Sequence, residues 1–283
     1  MTFGARLGQA VAARGRLCVG IDPHPELLQA WGLTDDADGL GRFARAAVDA
    51  LAGEIAVVKP QSAFFERHGA AGIEVLEETV RASRAAGAIV VLDVKRGDIG
   101  STAAAYADAY LRAGAPLAAD AVTVNPYLGF ESLRPFLDTA RAHGTGVFVV
   151  ALTSNPQEGT SIQRARVVTE DDGGGTVSRT VAGEVLARVR QDNAAAGDPD
   201  GSVGAVVGAT SDPGGLDLDV GGPLLVPGLG AQGGTPADLR RVFADVLPRV
   251  LPSASRSVLR AGPDGTRLLA AAARLRDELT APL

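Results

Sequence analysis

Lysine is almost missing from this chain of 283 residues: of its 27 basic side chains, only Lys59 and Lys95 are lysines and the other 25 are arginines. Aromatic residues are scarce as well, at 4%, and there is one cysteine, Cys18. A lone cysteine excludes an internal disulfide framework. No apolar run reaches the ~18 residues of a membrane-spanning helix. The opening MTFGARLGQAVAARG lacks the uninterrupted apolar stretch of a signal peptide, so a soluble, cytoplasmic protein is expected. A formal net charge of -6 offers no general attraction to nucleic acid or to an anionic membrane, and neither is expected as a partner. A local basic pocket for an anion remains compatible with that balance.

What is present is a chain 46% hydrophobic, long enough for two ordinary domains or one α/β barrel. Its Ala, Gly and Arg richness fits GC-rich coding, a bias that makes the two exceptions informative. Arginine is a broad planar fork that stays charged, whereas lysine is a compact ammonium whose pKa shifts readily. Two lysines kept against that drift suggest sites that need such an ammonium.

Eight short apolar runs alternate with longer Ala-rich amphipathic stretches. The candidate strands are residues 17–21, 55–59, 88–94, 120–124, 146–153, 203–209, 223–228 and a weak one at 252–256. The intervening stretches, among them TVSRTVAGEVLARVRQ and TPADLRRVFADVLPRV, often begin with Ser, Thr or an acidic residue and end in Gly, as helix caps do. Continuous apolar strands separated by helices imply a parallel sheet covered by helices. Eight such units predict a (β/α)8 TIM barrel, one α/β domain over residues 1–283. Extended loops rich in Gly, Pro and charge follow strand five (155–175) and strand six (211–222). At the carboxyl end of a barrel such loops tend to be lids.

The carboxyl ends of barrel strands face the catalytic mouth. Asp22 follows strand one, Lys59 closes strand two, and Asp93 and Lys95 close strand three, two residues apart and so on one side of the strand. Both lysines therefore fall on the rim. Asp22, before Pro23, also suits a turn, and Lys59 with Asp93 also suits a buried ion pair, although such pairs add little net stability. Asp98 in RGDIGST suits either chemistry or a helix cap. On the opposite side, PGLGAQGGT (227–235) is a glycine-rich loop entering a helix, and Arg256 precedes a short segment with helical character. Barrels commonly hold phosphate between the loops after strands seven and eight.

GIDP, VVKPQSAFFE, DVKRGDIGST, TVNPYLG, SNP and PGLGAQGG, in this order over about residues 15–265, resemble the orotidine 5'-phosphate decarboxylase family, specifically its longer bacterial subgroup. The resemblance implies cofactor-independent decarboxylation of orotidine 5'-phosphate to uridine 5'-phosphate, the last step of de novo pyrimidine biosynthesis, with no metal. It implies that Lys59, Asp93, Lys95 and Asp98 form the family's charge tetrad, with Lys95 protonating C6. It implies a homodimer in which Asp98 and Thr102 reach the neighbouring subunit's site. Asp22 resembles the ribose ligand, Ser154 the reader of the pyrimidine edge, Gln232 a bridge toward the phosphate and Arg256 the phosphate clamp. Asn125 lies on the rim within TVNPYLG, with no role assigned. One departure is Ser255-Arg256 where the family has Gly-Arg, and Arg260 is close enough to compete for the phosphate. Three rivals remain at this point. They are a magnesium-dependent relative acting on keto-sugar phosphates, a Schiff-base aldolase using a strand-borne lysine, and a non-enzymatic sensor of phosphate ligands.

Overall fold

The computed structural model of this protein describes residues 1–154, 161–170 and 175–280. All eight expected runs are strands of one closed parallel barrel: β1 (Cys18–Ile21), β2 (Val57–Pro60), β3 (Ile89–Arg96), β4 (Ala121–Val124) and β5 (Gly146–Leu152) come first. An antiparallel hairpin outside the barrel follows, β6 (Arg166–Glu170) with β7 (Thr176–Thr180). The barrel resumes with β8 (Val203–Val207), β9 (Leu224–Pro227) and β10 (Val250–Ala254), and Cys18 of β1 pairs with Ser253 of β10 to close it. No described helix is long and apolar enough to cross a membrane.

The barrel interior changes character along its axis. At the amino-terminal end it is filled by Phe148, Leu225, Leu251, Val57 and Val91, all buried. The helix Phe3–Arg14 closes that end and pushes Phe3 edge-on against Phe148, with ring centroids 6.0 Å apart. Burying a phenyl ring contributes roughly 1.5–3 kcal/mol. Gly146 makes the fit possible: a β-carbon there would lie 2.2 Å from the Phe3 ring. Arg6 of the same helix pairs with the buried carboxylate of Asp120 at 2.6 Å. Toward the carboxyl ends the inward positions turn polar, with Lys59, Asp93, Thr123 and Ser253 all buried. A second, larger apolar layer lies between the strands and the surrounding helices.

Three expectations need correction. TVSRT does not open a helix: its alternating β-branched and polar side chains pair with Arg166–Glu170 as β7, placing Val167 opposite Arg179 and Thr169 opposite Val177. The helix starts at Val181, where the Thr180 hydroxyl accepts from the Gly183 amide. The loop after β5 thus contains secondary structure, although its residues 155–160 and 171–174 lie outside the described residues. TPADLRRVFADVLPRV is also not one helix. It divides into Pro236–Val242 and a 3-10 turn Ala244–Arg249 carrying Pro248, and its final Val250 begins β10, so the eighth strand starts two residues before the expected 252.

Candidate active site

A cavity of about 490 Å³ opens at the carboxyl ends of the strands, with Lys59 and Asp93 at its floor and Lys95, Asp22, Ser154, Gln232 and Arg256 in its walls. The pairing of β2 with β3 brings the two lysines to one carboxylate. Lys59 Nζ lies 2.9 Å from Asp93 Oδ2 and Lys95 Nζ lies 2.6 Å from Asp93 Oδ1. The two ammoniums are not equivalent, since the Lys59 side chain is 7% exposed and that of Lys95 is 45% exposed. Lys59 is locked beneath, and Lys95 is the cation offered to the cavity.

Burial pushes the Lys59 ammonium toward its neutral form, but Asp93 and Asp22 outweigh burial and hold its pKa above the usual lysine value. Burial likewise favours a neutral Asp93, and the two lysines overcome it and hold the carboxyl well below the usual carboxylate range. Deeper in the barrel, burial pushes the Cys18 thiol up to about 12, so it is neutral and inert.

Lys95 sits at an irregularity in β3. Leu92 pairs with Val122 but the next pair is Arg96 with Val124, so four residues of β3 run beside two of β4. Lys95 takes up the excess with φ of 45°, the only non-glycine among the described residues in the left-handed region. Such conformations cost of order 1–3 kcal/mol and cluster at functional sites. The Lys95 amide donates to Thr123 Oγ1 at 3.0 Å, and that hydroxyl donates to Asp93 Oδ1 at 2.8 Å.

Asp22 reaches the cavity from the end of β1, and its Oδ1 is buried without a hydrogen-bond partner. Ser255 lies across from it, room being made by Gly20, where a β-carbon would stand 2.9 Å from Ser255 Cβ. Ser154 lines the wall and its hydroxyl is 3.2 Å from that of Ser211. Arg256 lines the cavity at the start of the short helix Arg256–Leu259, as expected, whereas Arg260 does not line it. The glycine-rich loop borders the cavity through Gly228, Leu229, Ala231 and Gln232, and part of its backbone is bonded to itself. The amides of Gly230, Gly233 and Gly234 bond to carbonyls of the loop itself. The following helix is closed by a capping box of Thr235 and Asp238. From this side Arg256 is left as the full positive charge facing the cavity.

Three candidates lie outside this cavity. Asp98 accepts from the Ile99 amide at 2.8 Å and does not cap the helix Gly100–Leu111, whose N-cap is Ile99. Thr102 is exposed on the first turn of that helix. Asn125 is exposed and accepts from the Tyr127 amide at 3.1 Å. Sequence reasoning missed Thr123, Gln61, and the pair His24 and Phe64, whose rings meet edge-on at 4.3 Å in the wall. Thr123 had a signal: it is the one polar residue within the apolar run AVTV. Among the described residues, no three His, Cys, Asp or Glu side chains converge as metal ligands would.

Over its whole length the chain is 60% identical to the orotidine 5'-phosphate decarboxylase of Salinispora arenicola, covering 98% of that protein. It is 56% identical to that of Streptomyces coelicolor, over 98% of this chain and 96% of the relative. A crystal structure from Streptomyces avermitilis superposes with a TM-score of 0.91 at 56% identity, covering 98% of this chain and 94% of that one. Leishmania donovani OMP decarboxylase superposes with a TM-score of 0.76 at 32% identity, over 99% and 98% of the two chains. Residues 15–271 match a single family model, and with it the barrel and its lysine-bearing rim find their place: this chain belongs to the orotidine 5'-phosphate decarboxylase / HUMPS family.

Proposed function

We propose that this protein decarboxylates orotidine 5'-phosphate to uridine 5'-phosphate, with Lys95 as the proton donor. The observation that carries the reading is the stack of Lys59, Asp93 and Lys95, in which a buried ammonium supports a carboxylate that in turn presents a half-exposed ammonium to the cavity. In the reaction the bond from C6 to the carboxylate carbon breaks, carbon dioxide leaves, and the electron pair stays on C6. That pair lies in the plane of the ring, where the ring carbonyls do not delocalise it, so a fixed positive charge must hold it. An ammonium about 4 Å away contributes roughly 4 kcal/mol at an effective dielectric near 20. The Lys95 N–H then transfers its proton to C6 and the amine recovers one from solvent. Asp93, held anionic by its lysines, lies beside the substrate carboxylate and disfavours it until it departs as neutral carbon dioxide. The remaining barrier reduction comes from preorganisation and from phosphate binding remote from the reacting carbon.

Asp22, with its unpartnered oxygen, accepts from a ribose hydroxyl, Ser154 reads the pyrimidine edge, and Gln232 and Arg256 hold the phosphate. Arg256→Ala is expected to raise KM about 100-fold, the loss of a charge-assisted contact. Arg260→Ala, outside the wall, is expected to leave KM within about threefold of the parent.

The protein acts as a homodimer in this reading. Ile99, Tyr127 and Leu128 are 62%, 76% and 52% exposed on the same rim as Asp98, an apolar cluster suited to a second copy. Asp98 and Thr102, which do not line their own cavity, then serve the partner's. Mixing inactive Lys95→Arg with inactive Asp98→Ala subunits is expected to restore activity toward one quarter of the parent's, because only hybrid dimers assemble one intact site. Mixtures that stay inactive while exchanging subunits, followed by mass spectrometry, would refute shared sites.

The function itself is tested by following the loss of orotidylate ultraviolet absorbance in the presence of EDTA. Turnover unaffected by the chelator supports the reading. Absence of turnover overturns it, chelator-sensitive turnover points to the magnesium-dependent relatives, and borohydride trapping of a phosphosugar on Lys59 or Lys95 points to an aldolase.

A further inference from the structure

We infer that Thr123 is a positioning residue that sets where Lys95 delivers its proton, an inference that rests on Lys95 being the donor. Thr123 occupies an inward position of β4 and is 1% exposed. Its hydroxyl stands opposite the irregular stretch of β3, between the Leu92–Val122 and Arg96–Val124 pairs, where the ladder has no backbone partner in register. Both capacities of the hydroxyl are in use. It accepts from the Lys95 amide at 3.0 Å, which directs its one hydrogen to Asp93 Oδ1 at 2.8 Å.

The same Oδ1 also receives the Lys95 ammonium at 2.6 Å. One hydroxyl thereby ties together the backbone that carries the lysine and the oxygen against which its ammonium rests. Without the tie, the Lys95 amide has no side-chain acceptor and its left-handed conformation, with φ of 45°, is free to relax toward extended backbone. The ammonium lies at the end of a long flexible stem, so a small change at Cα becomes a displacement at Nζ. Misplacement by about 1 Å is enough to slow a positioned reaction about 100-fold.

Thr123→Val keeps the shape of the side chain and removes the hydroxyl, whereas Thr123→Ser keeps the hydroxyl and removes a methyl group. The valine variant is expected to lose about 100-fold in kcat with KM within about threefold, and the serine variant to stay within about fivefold of the parent. The scarcity of lysine supplies a readout independent of turnover. Selective 13C labelling at the lysine ε-carbon yields only two signals, Lys59 and Lys95, assigned through Lys59→Arg. In Thr123→Val the Lys95 signal is expected to move and that of Lys59 to keep its place. Unchanged kcat in the valine variant, or equal losses in both variants, overturns the inference. If the parent protein fails to act on orotidine 5'-phosphate, the functional reading falls, and the Lys95 signal still decides the role of Thr123, an unmoved signal refuting it.

Discussion

Lys95→Arg is expected to lower kcat by about 10⁴-fold while leaving the fold and the binding of uridine 5'-phosphate intact. The substitution retains the positive charge, so a site that needed only a cation near C6 would tolerate it. What it removes is the ability to part with a proton: a guanidinium stays protonated above about pH 12. It also replaces a compact head, held at 2.6 Å from Asp93 Oδ1, with a planar fork that needs more room. Because the Lys95 side chain is 45% exposed, the larger group projects into the cavity without opening the core. Thermal melting should therefore match the parent. The check is a single-turnover absorbance assay beside calorimetric titration with uridine 5'-phosphate, and activity within tenfold of the parent would remove Lys95 from the role of donor.

Asp93→Asn is expected to cost about 10³-fold in kcat and, unlike Lys95→Arg, to destabilise the fold. The asparagine has nearly the same shape but no charge to set against two ammoniums. Lys59, with its side chain 7% exposed, is then a buried cation without its counterion, and breaking such a pair from one side costs about 3–5 kcal/mol. The pH dependence of stability should change with it, from level to rising across neutral pH. In the parent, the depressed Asp93 pKa contributes stability that is complete above the unfolded value of about 3.9 and is lost as pH falls toward the folded value. The raised Lys59 pKa contributes stability that is complete below about 10.4 and is lost as pH rises through the folded value. Their joint contribution is therefore level across neutral pH. In Asp93→Asn, burial of Lys59 loses its main opponent and its folded pKa drops below the unfolded one. The unfolded chain then binds the extra proton, and stability climbs with pH up to about 10. Urea midpoints measured from pH 5 to 9 should be level for the parent and rise for the variant, and parallel profiles would show that Lys59 is not held charged by Asp93.

Much of this arrangement is legible in the sequence. A parallel barrel buries its strands on both faces, so each strand shows as a short, unbroken apolar run, and a charge inside such a run, as at Lys59 or Asp93, is conspicuous. The spacing of Asp93 and Lys95 placed them on one side of a strand, and they do meet, but the contact depends on an irregular β3 and a left-handed Lys95 that no periodicity reveals. Thr123 escaped notice because threonine is a common strand residue, and its importance lies in what β3 does beside it. The hairpin β6–β7 was missed for the opposite reason. Its segment RVVTE lies in a charged, glycine-bordered stretch that reads as loop, and TVSRT directly precedes a strong helix that absorbs it by continuity. The glycine-rich loop after β9 illustrates a third limit, since a motif supplies backbone amides but does not say which carbonyls have already taken them.

The seating of Phe3 against Phe148 bears on the order in which the chain assembles. The helix Phe3–Arg14 leaves the ribosome before the strands it packs against, and the groove that receives it is built from the start of β4, from β5 and from the turn around Gly201, about 115 to 200 residues later. Contacts so distant in sequence are slow to form. This helix, synthesised before its partners, is thus among the last elements to find its place, and until it does, the lower mouth of the barrel exposes the ring of Phe148 to water.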